Sequence, residues 1–293
     1  MRGRDEESFV VLTLLLLFLS AFSAFSASST SSTSSASSAS SALSALSPYF
    51  TSMSTPLLPL QHKTALITGG SKGIGLGIAK AMAKEQMKVA ITSRHLVDAE
   101  SIIEELLKLG ASDAYALQAD VREYKAQLIV AAKVVERFDS LDVVMANAGV
   151  GHFGAIDTMS HKDWHETIDT NLTGVFYTLQ ATIDALKKSQ GYFITIASLA
   201  GTNFFANGAA YNASKYGLVG FTQAVMLDLR KYGIKVSTIM PGSVATNFNN
   251  HVPSAEDDWK IQPEDIGQIV IDMLKMNPRT LPSKIEVRPS MPK

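Results

Sequence analysis

The stretch TALITGGSKGIG, from Thr64 to Gly75, decides the fold. Thr64–Thr68 is a short apolar and β-branched run of the kind that forms a strand covered on both faces. A glycine-rich turn follows at once, and helical periodicity takes over from Ile74 to Lys84. Glycines at a strand-to-helix turn permit backbone angles closed to other residues and let a phosphate approach the main chain. The helix then offers free N–H groups and the positive end of its dipole to that anion. A glycine turn alone is equally compatible with a tight turn that binds nothing; its place after the first strand favours a dinucleotide.

Outward from this unit the chain keeps alternating. Short apolar runs at Val89–Thr92, Ala114–Ala119, Leu141–Ala146, Tyr192–Ala197, Ile234–Met240 and Ile285–Val287 are separated by segments with helical periodicity, among them Val97–Leu109, Lys125–Phe138, Asp163–Lys188 and Gly208–Arg230. The pattern predicts an α/β, doubly wound Rossmann-like fold: an about seven-stranded parallel sheet with helices on both faces. In such sheets the ligand lies beyond the carboxyl ends of the strands.

Composition narrows the function. The 293 residues are 46% hydrophobic and 18% charged with a net charge of −1, ordinary for a globular protein. No basic run or basic–aromatic patch supports nucleic acid as a partner. The absence of cysteine removes disulfides, thiolate metal sites and cysteine nucleophiles. His152, His161 and His165 have no acidic partners at a metal-ligand spacing, so no metal is expected.

Residues 1–60 are a different material. Phe9–Leu19 is apolar except for Thr13, a serine-rich tract runs from Ser20 to Ser47, and no charged residue occurs from Ser8 to His62. The run is short for a spanning helix, which needs about 20 apolar residues, and fits a signal-peptide core. The serine tract is expected to be disordered. Two readings stand side by side: a secretory or plastid-type targeting segment, or a true start at Met53 and a cytoplasmic protein. A membrane enters only if the segment is retained. Residues 61–293 are expected to form a single Rossmann-like catalytic domain.

The glycine spacing, Gly69, Gly73 and Gly75 in TGGSKGIG, is followed in order by Asp120-Val121, Asn147-Ala148-Gly149, Asn171, Ser198, Tyr211 with Lys215, and Pro241-Gly242. This set resembles the short-chain dehydrogenase/reductase family from about Lys63 to the C-terminus. The resemblance implies that Gly69, Ser71, Lys72, Gly73, Ile74 and Gly75 cradle the cofactor. It also implies that Asp120 and Val121 contact adenine, that Asn147, Ala148 and Gly149 line its pocket, and that Pro241, Gly242 and Thr246 cover the nicotinamide side.

The residues themselves speak to which dinucleotide. Dinucleotide folds that select NAD usually carry an acid at the end of the second strand. Here that strand ends Ile91-Thr92-Ser93-Arg94, without one. Arg94 suits a 2′-phosphate through its planar fork, and Lys72 adds a second cation, so NADP(H) is expected.

Tyr211 and Lys215 stand at i and i+4 on a helix, on one face. A lysine ammonium beside the phenol is expected to lower its pKa, permitting proton exchange. Family resemblance makes Tyr211 the proton donor to a carbonyl, Ser198 a hydrogen-bond donor to the same oxygen, and Asn171 the anchor of a water relay beside Lys215. The substrate side is expected at Val150, His152, Phe153, Asn203–Phe205 and Phe248. The expected activity is hydride transfer between a carbonyl and a secondary alcohol, on a 3-oxoacyl thioester or a small ketone. Resemblance further implies a homodimer or homotetramer. Two other readings are carried: a nucleotide-sugar epimerase or dehydratase, and a non-catalytic dinucleotide-binding sensor or scaffold. The first normally has a large C-terminal domain, whereas only about fifty residues follow Gly242. Sensors typically lose the tyrosine, lysine or serine that this chain keeps.

Overall fold

In the computed structural model, which describes residues 59–291, each of the seven apolar runs is a strand. The strands are β1 (Thr64–Thr68), β2 (Lys88–Ser93), β3 (Asp113–Gln118), β4 (Val143–Ala146), β5 (Tyr192–Ile196), β6 (Lys235–Pro241) and β7 (Lys284–Val287). They form one parallel sheet in the order β3-β2-β1-β4-β5-β6-β7. The order reverses between β1 and β4, and this switch point opens a crevice at the strands' carboxyl ends. The expectations for the N-terminal segment, residues 1–60, lie outside the described residues as far as residue 58.

The helices are α1 (Gly73–Lys84), α2 (Leu96–Lys108), α3 (Tyr124–Phe138), α4 (His161–Ile168), α5 (Gly174–Ser189), α6 (Ala209–Leu229) and α7 (Pro263–Lys275). Alternate strand residues face opposite sides of the sheet, so each strand feeds two cores. Ala65, Ile67, Val89, Ile91 and Met145 pack with Ile78 and Met82 of α1, Leu106 of α2 and Val270 of α7. Leu66, Ala90, Val144, Phe193 and Val236 pack with Val134 of α3, Leu179 of α5 and Leu218 of α6. Leu60, read from the sequence as the last residue of the N-terminal segment, is buried in the first of these cores.

Two expectations change in detail. The helix read as continuous over Asp163–Lys188 is interrupted: α4 and α5 are joined by one π-helical turn, Asp169–Thr173, in which Gly174 N–H bonds back to Asp169. Such wide turns recur at functional sites, and Asn171 sits at the centre of this one. The strand expected over Leu141–Ala146 begins two residues later, because the Asp142 carboxylate accepts from Lys63 Nζ, Thr64 N and Ser140 Oγ at the sheet's lower edge. A cleft of about 780 Å³ opens at this lower edge between α3 and α5, at the opposite ends of the strands from Ser198.

Candidate active site

Gly69 and Gly73 both adopt positive φ, at 64° and 56°, so the turn between β1 and α1 needs residues without a Cβ there. No side chain caps α1, which leaves its first-turn N–H groups for a ligand. Across the switch point, Asn147 Nδ2 donates to the carbonyls of Thr68 and Gly69 at 2.9 and 3.0 Å. Thr68 Oγ1 accepts from the amides of Asn147 and Ala148 at 3.0 and 3.1 Å. The ends of β1 and β4 are thus clamped together under the crevice. From the far side, Thr246 stands where a Cβ on Gly73 would meet it in ordinary van der Waals contact, at 3.4 Å. Pro241 ends β6, and Gly242 N–H donates to Val287. Ser71 and Lys72 complete the turn and Ile74 and Gly75 lie in the first turn of α1, with Lys72 exposed.

At the β2–β3 end, Arg94 is exposed directly after β2, and Gln118 Nε2 holds its carbonyl at 3.0 Å. Its guanidinium lies 3.7 Å from Glu166 of α4, so the cation expected for a phosphate already has a carboxylate neighbour. Lys72 has no ion-pair partner among the described residues. The Asp120 carboxylate is gripped by Arg122, whose Nη2 stands 2.6 Å from Oδ2 and whose amide donates to Oδ1 at 2.9 Å. Arg122 holds the Asp120 carboxyl below its ordinary range, against the opposing effect of burial. Val121 is buried against Gly174 at the start of α5.

Ser198, Tyr211, Lys215 and Asn171 converge beside β5. Lys215 is buried, and its Nζ donates to the Ile196 carbonyl at 3.0 Å while lying 5.7 Å from the Tyr211 ring centroid. Burial lowers the Lys215 pKa to about 8. Burial also pushes the Tyr211 phenol up, with a hydrogen bond to the Ser198 hydroxyl partly offsetting it. That direction is opposite to the lowering expected from Lys215: the ammonium points at Ile196 rather than the phenol, and desolvation of the phenolate dominates. Ser198 Oγ also accepts from Ala200 N at 3.1 Å, capping the short turn Leu199–Gly201.

Asn171 is fully buried. Its Oδ1 accepts from Val150 N at 2.9 Å, and Nδ2 donates to Val150 O at 2.8 Å and Ser214 Oγ at 3.0 Å. Both amide protons are therefore used within the protein, leaving Oδ1 as the amide's remaining capacity for water. A Cβ on Gly149 would stand 3.2 Å from that Oδ1 and 3.8 Å from Lys215 Nζ, so the two groups meet at one small space.

On the outer side of Tyr211, Phe153 and Phe248 stand 5.4 and 5.7 Å from its ring, and Phe205 lies 5.8 Å from Phe153. His152 is directed instead toward α4, 3.6 Å from Asp163 and 3.3 Å from Glu166.

A family model described as short chain dehydrogenase matches residues 63–257, which hold this whole constellation. The chain belongs to the short-chain dehydrogenase/reductase family. Members of that family are oxidoreductases working with a nicotinamide dinucleotide on small molecules. Among similar members is a putative ketoacyl reductase from Streptomyces coelicolor, 33% identical over 76% of this chain and 87% of its own length. A 3-oxoacyl-[acyl-carrier-protein] reductase from Staphylococcus aureus is 35% identical over 64% of this chain and 77% of its own. A metagenomic short-chain oxidoreductase solved in complex with NADP superposes with a TM-score of 0.71 at 31% identity, covering 80% of this chain and all of that one.

Several participants escaped the sequence reading. Arg122 and Glu166 carry the charges that meet Asp120 and Arg94, yet neither sits in a motif. Thr68 reads as one more β-branched strand residue, although its hydroxyl joins β1 to β4. Ser214 is an unremarked helix serine whose oxygen serves Asn171. Only the last was within reach: a serine next to Lys215 in the YxxxK segment points into the same turn of helix.

Proposed function

We propose that this short-chain dehydrogenase/reductase is an NADP(H)-dependent carbonyl reductase in which Ser198, Tyr211 and Lys215 do the chemistry and Asn171 positions them. The convergence of Tyr211, Ser198 and Lys215 at the end of β5 is the observation that carries the reading. Substrates within it are a 3-oxoacyl thioester or a small ketone, and the reverse oxidation of a secondary alcohol uses the same groups.

The residues fit the cofactor. The uncapped N-terminus of α1 and the open glycines suit the pyrophosphate, Lys72 and Arg94 suit a 2′-phosphate, and Asp120, Val121, Asn147, Ala148 and Gly149 wall the adenine end. Pro241, Gly242 and Thr246 close the nicotinamide side. When bound, NADPH supplies the hydride that forms the new C–H bond at the carbonyl carbon and is itself oxidised to NADP⁺.

This chain's own groups manage the oxygen. As the carbonyl π pair moves onto oxygen, Tyr211 Oη donates its proton there and the O–H bond forms. A phenol raised by burial is protonated at neutral pH, as an acid requires. Ser198 Oγ donates to the same oxygen and stabilises its developing charge. Lys215, mostly ammonium at pH 7 with a pKa near 8, sustains the phenolate left behind and binds the nicotinamide ribose. Asn171 holds Val150 and Gly149 beside it. Exposed Phe176 of α5 and Tyr216 of α6 support a homodimer or homotetramer, checked by light scattering.

The test is oxidation of NADPH and NADH by the protein against a carbonyl panel. The expected result is turnover at least tenfold better with NADPH and lost in Tyr211→Phe. No binding of either dinucleotide sinks the reading.

A further inference from the structure

Phe153 and Phe248 flank Tyr211, Phe205 packs on Phe153, and none of the three is core. Phe153, Phe205 and Phe248 are 41%, 48% and 37% exposed, although aromatic rings of this size are usually buried unless they serve a surface. They come from three separate loops, after β4, after β5 and after β6. Their mutual arrangement is tilted or edge-on, with Phe153 at the centre, 6.4 Å from Phe248. Aromatic groups pack against one another in such geometries.

The arrangement is built rather than incidental. Phe248 rests on Gly151: a Cβ there would come within 2.6 Å of its ring and 3.0 Å of Phe153. Phe205 rests on Gly208 in the same way, at 2.5 Å. Asn212, the neighbour of Tyr211, donates to the carbonyls of Ala200 and Asn203 at 2.8 and 2.7 Å and so ties the Phe205 loop to α6. Gly154 N–H donates to Asn207 O at 2.9 Å, joining the Phe153 loop to it. Behind Phe248, buried Asp257 takes hydrogen bonds from His251 and from the amide of Ser254 and an ion pair from Lys260, fixing the third loop.

Charge is the second observation. Residues 150–160, 198–214 and 243–254 contain no lysine or arginine and a single acid, Asp157. The two histidines on these segments face carboxylates, His152 toward Glu166 and His251 toward Asp257. A thioester on a phosphorylated carrier arm brings anionic phosphate to the mouth of the cleft, and these segments offer no cation to meet it.

We propose that the substrate is an uncharged ketone bearing an aromatic or alicyclic ring beside its carbonyl, and that Phe153, Phe205 and Phe248 hold that ring against Tyr211. The inference rests on the reductase reading and selects within it: ring ketones over carrier-linked 3-oxoacyl thioesters. Reduction proceeds as above, with hydride to the carbonyl carbon and the Tyr211 proton to its oxygen.

The full chain is assayed with NADPH against acetophenone, cyclohexyl methyl ketone and acetoacetyl-coenzyme A. We expect kcat/KM at least tenfold higher for the ring ketones. Phe153→Ala and Phe248→Ala should each raise their KM at least fivefold, with Phe153→Leu recovering part of the loss. Preference for the thioester, or an unchanged KM in both alanine variants, overturns the inference and leaves the reductase reading intact. Absence of turnover with every carbonyl and both dinucleotides overturns the reductase reading and this inference with it. Calorimetric titration of 1-phenylethanol into the protein saturated with NADPH, a pair that cannot exchange hydride, reads the aromatic box without turnover. Binding that weakens at least fivefold in Phe153→Ala supports it, and no binding overturns it.

Discussion

The Lys215 ammonium donates to the main-chain carbonyl of Ile196 across 3.0 Å, tying the helix that bears Tyr211 to the strand that delivers Ser198. One buried charge thereby sets the relative position of Tyr211 and Ser198, and its own ionisation becomes an observable.

With Lys215 at about 8 in the folded protein, the unfolded chain binds more protons between pH 8 and the ordinary lysine value of about 10.4. Stability of the ligand-free protein therefore rises with pH across that window. Below pH 8 both states hold the proton and the full penalty opposes folding, on the order of 3 kcal/mol at 1.36 kcal/mol per unit. Lys215→Met removes it and gives up a hydrogen bond of about 1 kcal/mol. Thermal denaturation at pH 7 should show Tm raised by several degrees, with a smaller gain at pH 9.5 and activity lost. In the native enzyme, kcat/KM for reduction should fall as pH rises through about 8.

Asn171 is expected to matter for stability as well as rate. Asn171→Ala deletes its bonds to Val150 and Ser214 at a fully buried position, a loss of about 2–4 kcal/mol. Urea denaturation measures it. Asn171→Asp keeps the acceptor but sets a carboxylate against the Val150 carbonyl, so it should be no better tolerated.

Arg94, proposed above to bind the 2′-phosphate, lies 3.7 Å from the Glu166 carboxylate. Arg94→Ser should raise the KM for NADPH about tenfold and leave that for NADH nearly unchanged, a loss consistent with one charge-assisted contact. Glu166→Gln should lower the NADPH KM two- to threefold by releasing Arg94. Steady-state kinetics with both dinucleotides separates the two effects.

Asp257 fastens the loop that carries Phe248. Lys260 and His251 hold its carboxyl well below the usual range, so its contribution is complete above about pH 4 and is lost only as pH falls further. Asp257→Asn should raise amide exchange over residues 248–257 and the substrate KM severalfold, with kcat less affected.

What the sequence made legible were the features that one stretch of chain can encode. Thr64–Gly75 contains strand, turn and helix start together, and the apolar runs marked all seven strands to within two residues at their ends. Tyr211 and Lys215 lie on one helix, so their proximity follows from helix geometry. Relationships between remote segments were hidden. Nothing local in Glu166 announces Arg94, nothing in Gly151 announces Phe248, and the periodicity of Asp163–Lys188 conceals the π turn because one wide turn shifts an apolar stripe only once. The phenol's pKa was misread for the same reason, since burial is a property of the assembled site and not of the Tyr–Lys spacing.

That wide turn also constrains how long the chain can be. A regular helix closes a turn in about 3.6 residues and the wide turn holds one residue more, so removing a residue between Asp169 and Thr173 would let an ordinary turn form while Val175 and Leu179 kept their places in the core. The loss would fall on the bulged residues, and Asn171 would leave Val150. A change of length here would spare the fold and cost the protein the contact between Asn171 and the loop after β4.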